Sequence, residues 1–174
     1  MDIGLKKIIH RDVAGILLII IISSVYFFLQ DFKRVEVRGN SLAPYIISGT
    51  DVWINYAYGH NNKKIGRDSL ITFYFKAQNK ELIKFAKVIP GDTFKIDSVN
   101  KALLINGEFM VNKENKIYKL TDQNIKMLKL YEKDLEGKLG DNMYLVFGNY
   151  PGNIDSGKFG PIFREDILGK VLFK

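Results

Sequence analysis

Leu82-Ile83-Lys84-Phe85-Ala86-Lys87-Val88-Ile89-Pro90-Gly91-Asp92 decides how the chain is read. An apolar run closed by a Pro-Gly-Asp turn reads as a strand. Alternate strand residues share a face. Lys84 therefore lies with Leu82, Ala86 and Val88, and Lys87 with Ile83, Phe85 and Ile89. Both faces are apolar, so burial of one lysine is expected, and alternation does not choose between the two. A desolvated lysine favours its neutral form and can then act as a general base.

Outward from this run the same signals recur. Asp51–Tyr56, Ser69–Phe75, Thr93–Ile96, Ala102–Ile105, Met143–Phe147 and Ile167–Phe173 are rich in aromatic and β-branched residues and read as strands. Asn106-Gly107 marks a hairpin turn, and Gly59–Gly66 a polar loop. One segment breaks the pattern. Residues 121–139 place Ile125, Leu128, Tyr131 or Glu132, Leu135 and Leu139 at helical spacing, with Thr121 or Asp122 to cap the start and Gly140 the end. Many short strands with Gly and Pro turns favour a barrel or folded-sheet body, mainly β, with one helical insertion.

The N-terminal region reads differently. Residues 1–12 form a polar lead carrying Lys6, Lys7 and Arg11. Val13 to Leu29 is 17 residues without a charge. As a helix it rises roughly 26 Å, close to the hydrocarbon thickness of a bilayer. Tyr26, Phe27 and Phe28 suit an interfacial aromatic belt. The apolar core is too long for a cleaved signal peptide and lacks a small-x-small exit. The expected division is a cytoplasmic lead over 1–12, a single transmembrane anchor over 13–30, and a domain over 31–174. The excess of positive charge before the anchor puts that domain on the outer side of the cytoplasmic membrane.

Composition narrows the chemistry. The 174 residues hold no cysteine, which excludes a disulfide framework, a thiol nucleophile and thiolate metal sites. The two histidines, His10 and His60, have no metal-ligand spacing and argue against a Ser-His-Asp triad. No metal and no cofactor are expected. The net charge of +7 comes from lysines scattered singly, without a nucleic-acid motif. Membrane lipid with anionic headgroups suits that charge better than nucleic acid.

Two further stretches complete a chemical pattern. In Val37-Arg38-Gly39-Asn40-Ser41-Leu42-Ala43-Pro44 a strand-like alternation runs into a Gly-Asn corner followed by a serine. A serine on a tight turn can attack a carbonyl while its own N–H helps hold the resulting oxyanion. Gly148 to Pro161 is a Gly-, Pro- and Asn-rich loop whose Asn153, Asp155 and Ser156 are candidates for orienting a lysine amine.

In this order, behind an N-terminal apolar span, the three stretches resemble the bacterial type I signal peptidases and their relatives that process conjugative pilins. The family's Gly-x-Ser-Met-x-Pro stands here as Gly39-Asn40-Ser41-Leu42-Ala43-Pro44, and its Gly-Asp-x-Val as Gly49-Thr50-Asp51-Val52. Counting back from Pro90-Gly91-Asp92 along Lys-Arg-hydrophobic-x-Gly-x-Pro-Gly-Asp puts the base at Lys84 rather than Lys87. Ile105-Asn106-Gly107 resembles the family's Asn-Gly hairpin, and Gly140-Asp141 to Gly148 its approach to the last box. Asp155, Ser156 and Gly160 match Asp-Ser-Arg-x-x-Gly.

The resemblance implies coiled antiparallel sheets, a serine endopeptidase that removes signal peptides from exported preproteins, Ser41 as nucleophile and Lys84 as base. It puts Gly39 where some relatives carry a second oxyanion donor. Leu42 replaces methionine, Asn149 an aspartate, Asn153 a lysine-orienting serine, and Gly157 the arginine that pairs with the aspartate, with Lys158 as a substitute for it. The apolar surface near Leu42 and Ala43 is expected to face lipid. Two narrower readings stay open: a specialised pilin-processing peptidase, and a membrane-anchored binder of secreted chains that does not cut them.

Overall fold

The protein is described from a computed structural model covering residues 3–60 and 63–173. The side chains of residues 3–12, 14, 27, 28 and 173 fall outside that description. The chain opens with α1 (Ile3–Gln30), followed by β1 (Phe32–Glu36), β2 (Asp51–Asn55), the single-turn α2 (Ala57–His60), β3 (Leu70–Phe75) and β4 (Lys80–Val88). Next come β5 (Phe94–Asp97), β6 (Ala102–Ile105), β7 (Glu108–Phe109) and α3 (Asp122–Asp134). The chain closes with β8 (Met143–Phe147), the one-turn α4 (Ser156–Phe159), β9 (Ile162–Phe163) and β10 (Ile167–Phe173).

Seven strands form one sheet in the order β1-β2-β10-β3-β4-β8-β9, and β5-β6-β7 form a second. Every named pairing is antiparallel. The mainly β expectation holds. Strand β4 organises the interior, because its residues enter three separate apolar clusters. Val88 joins the cluster under β5, β6 and α3, Phe85 the cluster under β1 and β2, and Ala86 the cluster that holds Ile71, Phe73 and Val146. Fully burying a side chain the size of Phe85 contributes about 1.5–3 kcal/mol. The Asn106-Gly107 hairpin forms as expected, with both residues at positive φ (50° and 88°).

The helical insertion starts where its capping signal points. Thr121 accepts from the Asn124 N–H while the Asn124 side chain accepts from the Thr121 N–H, a reciprocal cap. It does not run to residue 139. Glu136 and Gly137 take positive φ, which ends the helix, and Leu139 instead hydrogen-bonds backbone to backbone with Asp92 and enters the core. The apolar periodicity continued past the last helical turn because the segment beyond it is buried too.

In the N-terminal region one helix, α1, runs from Ile3 through the expected anchor to Gln30. Residues 13–30 form the C-terminal part of α1, and each described side chain from Val13 to Leu29 is exposed, Ile19 by 65%. Among the described residues no helix is long and apolar enough to cross a membrane; the side chains of Ala14, Phe27 and Phe28 in the expected span lie outside the description.

Candidate active site

Two elements bring the serine and lysine together. After β1 the chain turns at Gly39, whose φ of +94° suits a residue without Cβ. Its N–H donates to Ser48 Oγ at 3.1 Å, so Gly39 is engaged in closing the turn. Leu42 and Ile46 pin the turn from below, 1% and 2% exposed, in the cluster that also holds Phe85. Leu42 is therefore a core residue and does not face lipid; the exposed apolar side chains of this turn are Tyr45 and Ile47. Ser41 itself stays half-buried.

Lys84 comes from β4, opposite Ile71 in the register with β3, and is 3% exposed. Its Nζ lies 2.5 Å from Ser41 Oγ. Among the described residues Lys84 has no ion-pair partner. Burial lowers its pKa to about 8, with the Asp155 charge opposing the shift and the Lys80 charge adding to it. The hydrogen bond reverses when the amine is neutral: the Ser41 O–H then donates to the nitrogen lone pair. Near neutral pH and above, this pair can deprotonate a serine without histidine.

The third stretch supports the pair from behind. Asp155 is buried and caps α4, accepting from the Gly157 N–H at 3.0 Å. Its other oxygen lies 3.0 Å from the Tyr118 hydroxyl and 3.5 Å from the Gly148 N–H. Burial, the largest cause, raises the Asp155 pKa against these hydrogen bonds. Ser156 Oγ accepts from the Val146 N–H at 2.7 Å, and Asn153 Nδ2 donates to the Tyr150 carbonyl at 2.7 Å. None of these three side chains hydrogen-bonds to Lys84. Asp155 reaches it through charge alone, and the other two shape the loop.

The partner expected for Asp155 is also different. Lys158 donates to the Gly152 carbonyl and leaves the aspartate to Tyr118. An arginine in place of Gly157 has no room: a Cβ there would meet Asn124 Nδ2 of α3 at 2.6 Å. Tyr118, 2% exposed, carried no signal in the sequence, since Ile117-Tyr118 sits in a polar stretch outside the strand and helix patterns.

Asn149 holds the Ser41 turn. Its N–H donates to the Ser41 carbonyl at 2.7 Å and its Nδ2 to the Ala43 carbonyl at 2.8 Å, while Oδ1 accepts from the Lys113 N–H at 2.9 Å. The side chain thus both donates and accepts, which a carboxylate cannot do. Beside it, a Cβ on Gly148 would meet the Ser41 carbonyl oxygen at 2.7 Å.

Ser41 and Lys84 open onto a cavity of about 200 Å³ whose apolar lining includes Val35, Val37, Leu42, Ile54 and Ile83. Pairing of β4 with β8 begins at Phe85, so Lys80 to Lys84 keep one edge free among the described residues. Also among these residues, no group of three or more His, Asp or Glu side chains could hold a metal ion.

Compared with known families, residues 9–174 match Signal peptidase, peptidase S26. Among solved structures, the crystal structure of a signal peptidase I from Enterococcus faecalis V583 is similar, with 24% identity and a TM-score of 0.46. That alignment covers 63% of this chain and 97% of the other. No curated protein matches.

Proposed function

The chain belongs to the signal peptidase family, peptidase S26, and on that premise we propose that it is a membrane-anchored serine endopeptidase that removes signal peptides from exported preproteins. Family membership makes it a peptidase. The serine-lysine mechanism rests on one observation above the others: a buried lysine, without an ion-pair partner among the described residues, stands 2.5 Å from the hydroxyl of a turn serine. Neutral Lys84 takes the Ser41 proton as Oγ attacks the scissile carbonyl, and returns it to the leaving amine as the peptide bond breaks. The acyl-enzyme is then hydrolysed by water activated at the same amine. The Ser41 N–H serves as one oxyanion donor. Gly39 adds no side-chain donor, and its N–H is occupied by Ser48.

An extended substrate fits beside the free edge of β4 at Lys80–Lys84, where strand addition supplies main-chain hydrogen bonds. The anchor over 13–30 has the support of α1, whose described apolar side chains from Val13 to Leu29 are all exposed and need an apolar medium. We place the catalytic domain on the outer side of the cytoplasmic membrane, with signal peptides and membrane lipid as partners.

The test is cleavage of a synthetic preprotein in detergent by the intact chain beside Ser41→Ala and Lys84→Ala. The expected result is cutting after a small residue, lost by a factor of roughly 10³ or more in either variant. Cutting that survives both substitutions would remove this pair from the mechanism.

A further inference from the structure

Between β7 and α3 the chain makes a short tongue, residues 110–118, that supplies neither of the reacting groups. Val111 and Ile117 bridge across it. Its tip is built on the buried Asn112, whose Oδ1 accepts from the Glu114 and Lys116 N–H groups at 2.9 and 3.1 Å. This local wrap fixes where Lys113 stands. Lys113 then meets both segments of the Ser41–Lys84 pair. Its Nζ lies 4.8 Å from the centre of the Phe85 ring and 5.8 Å from that of Tyr45. The two rings themselves pack edge to face, with centroids 5.4 Å apart. Phe85 follows Lys84 on β4, and Tyr45 belongs to the turn that begins at Ser41. The Lys113 N–H reaches the same turn through Asn149, donating to its Oδ1 at 2.9 Å while Asn149 holds the Ser41 and Ala43 carbonyls.

The rings, more than an anion, keep the ammonium in place. Asp68 Oδ1 lies 3.6 Å from Lys113 Nζ, but the aspartate is 45% exposed and the same oxygen accepts from Lys87. So exposed an ion pair contributes little. The Phe85 ring is 1% exposed and the Lys113 side chain 25%, so the cation meets the ring partly out of water, where the attraction is stronger. Lys87 also lies over the Phe85 ring, at 5.8 Å, but it comes from the same strand and by that contact ties no second segment to it. Beneath the turn Leu42 and Ile46 are core residues, whereas Tyr45 above it is 42% exposed. Lys113 acts on the side of the turn that packing holds less.

From these contacts we propose that Lys113 is a positioning residue for the reaction: it ties the turn that carries Ser41 to the strand that carries Lys84, and so keeps the serine Oγ aligned with its base. A misplacement of about 1 Å can cost on the order of 10²-fold in rate, so partial release of the turn should be visible in kcat. The inference deepens the peptidase reading and rests on it.

The experiment uses the full chain in detergent with a synthetic preprotein. Rates are taken well above the Lys84 pKa of about 8, so that a changed charge near the base does not register. Lys113→Met keeps the aliphatic stem and removes the cation. It should lower kcat roughly tenfold and leave KM within about twofold. Lys113→Arg, which also stacks on aromatic rings, should recover kcat to within about threefold. Tyr45→Leu should cost about as much as Lys113→Met, and the double variant no more than the worse of the two, because both break one contact. Losses that multiply, or a loss that arginine does not recover, overturn the proposal. So does an unchanged kcat in Lys113→Met, with or without a lower urea midpoint.

Hydrogen exchange provides a readout that needs no activity. The Ala43 and Ile46 amides, bonded within the turn to the Asn40 and Leu42 carbonyls, should exchange roughly tenfold faster in Lys113→Met, while the amides of β6 keep their wild-type rates. If wild type cuts no preprotein, the peptidase reading fails by itself, and exchange still decides whether Lys113 holds the turn. Equal exchange at Ala43 and Ile46 in the two proteins would overturn that hold.

Discussion

Lys84 and Lys87 stand three residues apart on one strand and are equally hidden, 3% and 4% exposed, yet their surroundings differ in kind. Lys87 donates to Asp68 and to the Val111 carbonyl at 2.8 Å, and packs over the Phe85 ring. Lys84 meets a serine hydroxyl and a carboxylate that reaches it only through charge. Burial lowers the pKa of both; for Lys87 the hydrogen bond and charge of Asp68 oppose that shift directly. The Asp68 carboxyl shows the other half of the pair: burial would raise it, but Lys87 and Lys113 outweigh burial and hold it below the usual range. Desolvation alone thus does not make a base. A lysine becomes one when burial is combined with a neutral partner in place of an anion.

The largest expected effect separates the two lysines by chemistry. Lys84→Met should lower kcat on a preprotein by roughly 10³ or more, and Lys87→Met should leave it within about threefold. Lys84→Met should also raise stability, because it removes a buried group that costs free energy to charge. Urea midpoints beside rates would reveal this opposition. Parallel losses of activity in both variants would make the contrast one of folding, not of mechanism.

A smaller effect belongs to the partner. In Asp68→Asn the Lys87 ammonium stays buried with only neutral acceptors, which should cost on the order of 1–3 kcal/mol. The midpoint should fall while kcat of the folded fraction holds. An unchanged midpoint would mean that Val111 and the Phe85 ring satisfy Lys87 without the aspartate.

The same contrast shows what was legible from the residues. Apolar runs and turns located β2, β3, β4, β6, β8 and β10 to within a residue or two, because each strand buries at least part of one face. Strand periodicity left Lys84 and Lys87 equivalent, and both are in fact buried. Only the spacing to Pro90-Gly91-Asp92, through family resemblance, separated them. What remained hidden is what the tertiary fold brings from a distance. Tyr118 reaches Asp155 across 37 positions, Asn149 reaches Ala43 across 106, and Asp68 meets Lys87 from a turn whose aspartate, at a φ of 60°, looks like loop chemistry. Gly157 reads as a lost arginine until α3 is seen against it.

The smallest effect is the sharpest, because it is a shift in position along the pH axis. Lys84 must be neutral to accept the Ser41 proton, so the rate should rise with pH through a limb near 8. Its folded pKa of about 8 lies below the ordinary 10.5, so between these values the unfolded chain binds more protons than the folded one. Stability therefore rises with pH across that window, and Lys84→Met should flatten this part of the rise. The Asp155 charge favours the protonated amine. Its removal in Asp155→Asn lets the pKa fall further, and the limb should move to lower pH by about one unit or less. Tyr118→Phe keeps the Asp155 charge while taking away its hydroxyl partner. It serves as the control for disturbed packing, and its limb should stay near that of the wild type. If Asp155→Asn lowers the rate at every pH without moving the limb, the aspartate holds the loop and does not set the proton affinity of the base.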